Sequence, residues 1–151
     1  MGKPCEYLSN MAPIKLATDL PFDKKWLQFY GEMPENLEYH QGSIYDMLYD
    51  AIRAYPTYPA MEYFDVVYSY RDLSEHIEEV AQALLGLDVV PNESVTICMP
   101  NMPEAIFLIY AINKIGAVCN VIHPLSDHDD IVSAVESSNS SLIFTTDVSA
   151  L

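Results

Sequence analysis

The stretch SVTICMPNMPEAIFLIYAINKIGAVCNVI, Ser94 to Ile122, decides the architecture. SVTICM (Ser94–Met99) reads as a strand covered on both faces, the environment in which strands become near-continuous apolar runs. PNMPE then turns the chain. Pro103 and Glu104 suit a helix's first turn, where a missing N–H costs nothing and a carboxylate meets the positive end of the helix dipole. AIFLIYAI (Ala105–Ile112) is apolar nearly all round and stops at Asn113 and Lys114, too short to cross a bilayer, so it reads as a buried helix. After Gly116, AVCNVI is a second buried strand. A strand, a helix and a strand at this spacing predict a crossover unit within a parallel sheet.

Downstream, HPLSDHDD is a loop feeding a helix that carries Ile131, Val132 and Val135, with Ser126 and Asp129 spaced as a capping box. SLIFTT is a third strand of the same sheet, and DVSAL begins a further helix. Upstream, in YSYRDL, Ser69 and Asp72 have capping-box spacing just before an apolar stripe of Leu73, Ile77, Val80, Ala81 and Leu84. Glu75, Glu78 and Glu79 fall largely on the other side, and Gly86 is the expected residue just past the helix end. AMEYF and VVYSY predict a short hairpin turning near Asp65, although no Asn-Gly or glycine marks the turn. SIYDMLYDAIRAYP predicts a helix with Ser43 and Asp46 as its capping box and Ile44, Met47, Leu48, Ala51 and Ile52 on one face, closed by Pro56.

Met1 to Gln41 has no sustained period and carries Pro4, Pro13, Pro21 and Pro34. It reads as an extended arm with a helical turn around Trp26 and Tyr30. The expected organisation is therefore an arm over residues 1–42 and a partial α/β domain over residues 43–151. That domain comprises a helix, a hairpin, a helix and a parallel-sheet βαβαβ segment.

A formal net charge of −15 excludes a nucleic-acid surface, because phosphates would be repelled and no cluster of Lys or Arg compensates. It leaves room for a nucleotide, since loop amides and helix N-termini hold phosphate without net positive charge. Cys5, Cys98 and Cys119 are odd in number and far apart, without metal-ligand spacing. Reduced thiols in a cytoplasmic protein are the simplest reading. The N-terminal MGKPCEYLSN has no apolar core of a signal peptide.

His123, Asp127, His128, Asp129 and Asp130 form the densest polar cluster. Imidazoles and carboxylates ligate divalent ions, but carboxylates here also mark a helix N-terminus, and neighbours in sequence point apart on a helix. The second reading is preferred, and no metal ligand is assigned. His123 and Pro124 follow one buried strand, and Asn101 and Met102 follow another. Both pairs thus sit at the carboxyl edge, where open α/β sheets bind ligands. For each alone the simpler reading is preferred, a structural or solvated loop histidine and a turn with an N-cap, and the four are kept as candidate substrate-binding residues. The chain has no GxGxxG, no GxxxxGK[ST] and no GxSxG, so no catalytic residue is assigned.

The run from Ser43 to Asp147 resembles the opening of the AMP-forming adenylating enzymes: acyl-CoA synthetases, luciferases and peptide-synthetase adenylation domains. SYRDL resembles their first core motif, Thr/Ser-Tyr-x-Glu-Leu, with Asp72 in place of Glu. LLGLDVVPNESVTICMPNMPE is similar to their Leu-Gly…Gly-Asp-Arg-Val-Ala…Pro-Asn-Ser-x-Glu, with Asn92, Glu93 and Ser94 where Gly, Asp and Arg are usual. INKIGAVCNVIHPL resembles the second core motif, with Val121 replacing its first Pro and His123 its Asp/Asn. SSNSSLIFTTD matches the strand that follows. The leader KKWLQFYGEMPENLEYHQGSIYDML looks like that of bacterial long-chain fatty acyl-CoA ligases, through Trp26, Tyr30, Pro34 and Ser43–Leu48.

The resemblance implies part of the large N-terminal domain of an adenylate-forming enzyme. Such an enzyme uses Mg2+ and ATP to turn a carboxylate, here a fatty acid, into acyl-adenylate and pyrophosphate, and CoA thiol then displaces AMP. It also implies that the phosphate loop, nucleotide contacts, hinge and catalytic lysine lie beyond Leu151, so the fragment alone is expected to be inactive. The Asn101–Met102 and His123–Leu125 loops would approach the acyl or CoA region, with Leu125 where some CoA ligases carry a basic residue. Two other readings stand: an adenylation domain loading a carrier-protein thiol, and a non-enzymatic flavodoxin-like binding module. A sheet with an open edge and an uncovered face also predicts self-association.

Overall fold

A computed structural model describes residues 25–34 and 36–146. They fall into two compact units, one ending at Gly42 and one starting at Ser43. In the first, a 3-10 helix spans Lys25–Phe29, and Met33 N–H then bonds the Tyr30 carbonyl at 2.9 Å. The arm before residue 25 and the helix expected at DVSAL lie outside the described residues.

The second unit begins with α1 (Ile44–Ala54), a hairpin of β1 (Pro59–Tyr63) and β2 (Val66–Ser69), and α2 (Tyr70–Gly86). β3 (Ser94–Cys98), α3 (Pro103–Lys114), β4 (Val118–Val121), α4 (His128–Ser137) and β5 (Ser140–Thr145) follow. The three later strands make one parallel sheet in the order β4-β3-β5, with Val95 beside Cys119 on one side and Leu142 on the other.

Both upstream helices start on the expected capping boxes. Ser69 Oγ accepts from Asp72 N–H at 3.2 Å, and the Asp72 carboxylate accepts from Ser69 N–H at 2.8 Å. Ser43 and Asp46 do the same for α1. Each box satisfies two of the four N–H groups a helix start leaves orphaned. The α2 stripe closes as spaced, with Leu73, Ile77, Ala81 and Leu84 buried.

The hairpin turns through Phe64 and Asp65, both at positive φ (45° and 63°), the geometry that matches strand twist in a two-residue loop. Glycine is absent there, so the turn is held without the residue that adopts it most readily.

Two expectations at helix ends are corrected. Gly86 is the last residue of α2, not the one past it; Leu87 caps the helix and Asp88 takes the left-handed conformation (φ 61°). Asp, like Asn, tolerates that region through local side-chain hydrogen bonding. Ser126 and Asp129 do not form a capping box: the N-cap of α4 is Asp127, with no side-chain cap bond. Ser126 belongs to the preceding turn, its N–H bonding the His123 carbonyl at 3.0 Å.

The core gathers on one face of the sheet. Val95 and Ile97 of β3 meet α2 and α3, with Ile77, Leu84, Ala111 and Ile112 at its centre. At roughly 1.5–3 kcal/mol per large apolar side chain, this cluster is the main source of stability. α1 rests on α2 and α3, its Tyr45 N–H donating to Asn113 Oδ1 at 2.8 Å. Lys114 bonds Glu78 and lies over the Tyr45 ring at 4.8 Å, so α1, α2 and α3 share one cation.

The opposite face is mixed, with Ser94, Thr96 and Asn120 beside Cys98, Ile122 and Ile143. Successive side chains of a strand alternate, so Ser94, Thr96 and Cys98 point away from that core. Ser/Thr/Cys thus alternate with Val/Ile along β3, a pattern hidden by reading the strand as uniformly apolar.

Candidate functional site

Parallel strands deliver their carboxyl ends to one edge. Here the edge carries the loops after Cys98, Val121 and Thr145. β3 and β4 run in register up to Ile97 beside Val121, and Ile122 N–H continues the pairing to the Ile97 carbonyl at 2.9 Å. The two predicted residue pairs therefore leave neighbouring strands at the same edge.

Their roles in the fold differ. Met102 is the N-cap of α3, half-buried and packed against the core, whereas Asn101 is exposed. His123 is exposed and Pro124 half-buried. The His123 carbonyl accepts from Ser126 N–H at 3.0 Å and lies 3.9 Å from the Cys98 thiol. Leu125 N–H donates to His123 Nδ1 at 3.1 Å, which fixes the neutral ring as the Nε2–H tautomer. Of the four residues, His123 and Asn101 present polar groups at the edge, and Met102 and Pro124 shape it.

The acidic loop does not converge. Asp129 and Asp130 lie in the first turn of α4, where the helix dipole favours them, and His128 contacts Asp129 at 3.3 Å. Among the described residues no group of three His, Cys, Asp or Glu side chains could hold a metal ion, so no chemistry is assigned to one here. No Lys or Arg follows Lys114, and Lys114 is committed to Glu78 and Tyr45. Among the described residues the loops after β3 and β4 offer an anion backbone amides and an imidazole and carry no Lys or Arg.

Sequence reasoning misses one feature of this edge. An open groove of about 330 Å³ runs between α2, α3 and the end of β5, lined by Leu84, Met99, Phe107, Leu108, Phe144 and Glu104 among others. Its lining is apolar apart from Glu104 and Thr145, so it suits an apolar group better than an anion. Phe144 and Met99, apolar residues at strand ends, carry the signal, but only the topology brings them together.

Comparison with known proteins places this edge in context. The family model described as AMP-binding enzyme matches residues 48–151. The linear gramicidin synthase of Brevibacillus parabrevis is 34% identical over 90 residues, covering 60% of this chain and 1% of that protein. 4-coumarate:CoA ligase 1 of Petunia hybrida is 29% identical over 79 residues, covering 52% of this chain and 14% of the ligase. Among solved structures, the Klebsiella oxytoca NpsA N-terminal subdomain in complex with 3-hydroxyanthranilyl-AMSN superposes with a TM-score of 0.68 at 22% identity. That superposition covers 72% of this chain and 28% of NpsA's. This chain thus spans only a small part of these relatives and about a quarter of the structural neighbour.

Proposed function

The chain belongs to the AMP-binding enzyme family, and from that premise we propose that it is the opening part of a ligase that adenylates a fatty acid with ATP and passes the acyl group to CoA. The observation that carries the reading is the pairing of the family match with two motif-bearing loops, Asn101–Met102 and His123–Leu125, at one edge of a parallel sheet. The four residues Asn101, Met102, His123 and Pro124 form part of the wall against the acyl or CoA moiety. The neutral Nε2–H of His123 is a donor suited to a carbonyl oxygen, and the surrounding carboxylates disfavour a free phosphate there. The fatty-acyl assignment rests on the leader around Trp26, Tyr30 and Pro34.

The groups that stabilise charge at phosphorus are the largest part of such catalysis. With no free cation after Lys114, they are proposed to come from sequence beyond Leu151, and the 151-residue chain by itself to be inactive. Pyrophosphate release from ATP and a long-chain fatty acid is the test. The purified 151-residue chain should give none, and the product of the full reading frame should give pyrophosphate and then acyl-CoA. Turnover by the short chain would refute the division of labour.

A second reading is favoured by one observation, the 34% identity to a linear gramicidin synthase. In it the same adenylation step loads a carrier-protein thiol. The two part on the acceptor: acyl transfer to CoA supports the first, and transfer to a carrier protein with CoA inert supports the second.

A further inference from the structure

The two faces of the sheet are held by different forces, and the difference points to a moving part. α4 contributes no fully buried residue: Ile131, Ala134 and Val135 are half-buried, and none of its side chains joins the core cluster or the layer packed on it. Hydrogen bonds add to that partial burial. Asn120 Nδ2 of β4 donates to Ser138 Oγ at 3.0 Å and to the Ala134 carbonyl at 3.5 Å, on the last turn of α4 and its C-cap. The same amide donates to Thr96 Oγ1 of β3 at 3.0 Å, and Thr96 donates to Ser140 Oγ of β5 at 2.7 Å. Ser138 and Ser140 Oγ close the ring at 2.8 Å. Water replaces such bonds at a net cost of only about 0.5–1.5 kcal/mol each, whereas apolar burial has no substitute in solvent.

Beneath the loop that enters α4 lies Cys98, 1% exposed, on the same face as Thr96. Its thiol faces the His123 carbonyl in that loop. Burial pushes the thiol's pKa up, so the closed form is a poor nucleophile.

We propose that α4 is a flap. It lifts from the Thr96 face of the sheet as one unit, carrying the loop from His123 to Asp127 with it. The chain bends at the Ser138–Asn139 junction with β5 (Asn139 φ 49°), which uncovers the Cys98 thiol while the α2 and α3 helices stay packed. Segments with few buried apolar contacts open far below the global unfolding free energy. Because the moving loop carries His123, the motion also reshapes the carboxyl edge. The inference is independent of the adenylation reading, since amide exchange and thiol accessibility register it without turnover.

The test is native-state hydrogen exchange of the 151-residue chain, followed by peptide. Residues 127–139 should exchange at least ~100-fold faster than residues 73–84 and 103–114, at a rate unchanged by sub-denaturing urea. In a Cys5→Ser, Cys119→Ser variant, dithiobis-nitrobenzoate should modify Cys98 at the α4 opening rate, ahead of global unfolding. Should that variant not fold, the unsubstituted chain is labelled and the Cys98 adduct located by peptide mapping. Asn120→Ala should speed both readouts about tenfold and leave α2 and α3 unchanged, as the loss of a net hydrogen bond implies. Exchange of α4 in step with α3, Cys98 labelling only at the global unfolding rate, or unchanged rates in Asn120→Ala would each overturn the flap.

Discussion

α3 and α4 have the same topological task, each returning the chain from one parallel strand to the next, and they perform it with opposite chemistry. α3 buries Pro103, Ala105, Phe107, Leu108, Ala111 and Ile112. α4 buries none fully, half-buries Ile131, Ala134 and Val135, and is pinned through Asn120, Ser138 and the Ala134 carbonyl. A crossover helix is thus not rigid by virtue of its place in the fold. What it buries sets how firmly it is held, and β3 encodes both answers at once, with Val95 and Ile97 facing one way and Ser94 and Thr96 the other.

Equal truncations on the two helices probe this contrast most directly. Ile112→Ala empties a site at 0% exposure and should cost about 2–5 kcal/mol in urea unfolding. Ile131→Ala, the same truncation at a half-buried site on α4, should cost about 1 kcal/mol or less. Equal losses would mean that α4 is held as α3 is. Next in size is Thr96→Val, which keeps the shape of a fully buried residue but removes the acceptor of Asn120 and the partner of Ser140. It should cost about 1–3 kcal/mol, read in the same assay.

Helix starts extend the contrast. Ser69→Ala deletes one half of the α2 capping box and should cost about 1 kcal/mol, while Ser126→Ala, outside any cap, should leave the unfolding midpoint unmoved.

The smallest expected effect is the pH dependence that the α2 box creates. Hydrogen bonds from the Ser69 hydroxyl and amide hold the Asp72 carboxyl below its usual range. The carboxylate's contribution is therefore fully present above the unfolded-state value and lost as pH falls through the lower folded value. Glu78, held low chiefly by Lys114 and then Gln82, and Glu93, by Ser141 and the Val90 amide, act in the same direction. Thermal midpoints should fall on acidification from the ordinary carboxylate range downward, and Asp72→Asn should show a shallower fall. An identical acid profile in Asp72→Asn would remove Asp72 from this account.

The apolar side of the molecule is far more legible in the sequence than the polar side. Leu73, Ile77, Ala81 and Leu84 announce their helix because burial imposes a period on residue type, and the Ser69 and Ser43 boxes fix where the helices begin. Strand pairing within one parallel sheet follows from crossovers once the elements are known. The start of α4 misleads because serine and aspartate serve turns and caps equally well, and only the bond from Ser126 to His123 separates the two uses. The polar ladder is invisible for another reason: Ser94, Thr96, Asn120, Ser138 and Ser140 come from separate elements, and no local spacing links them. At the carboxyl edge, sequence position locates Asn101 and His123, but the ring orientation imposed by Leu125 is a structural fact.

Lys114 is the last basic residue of the sequence, and every charged side chain after it is acidic apart from the titratable imidazoles of His123 and His128. α4 and the loop that enters it therefore carry acidic charge with no Lys or Arg among them. Counter-ions shorten the reach of that charge to about 10 Å at 0.1 M ionic strength and about 3 Å at 1 M. Added salt should accordingly ease repulsion around α4. On the opposite face of the sheet it weakens the attraction between Lys114 and Glu78, so one solution variable drives the two faces in opposite directions.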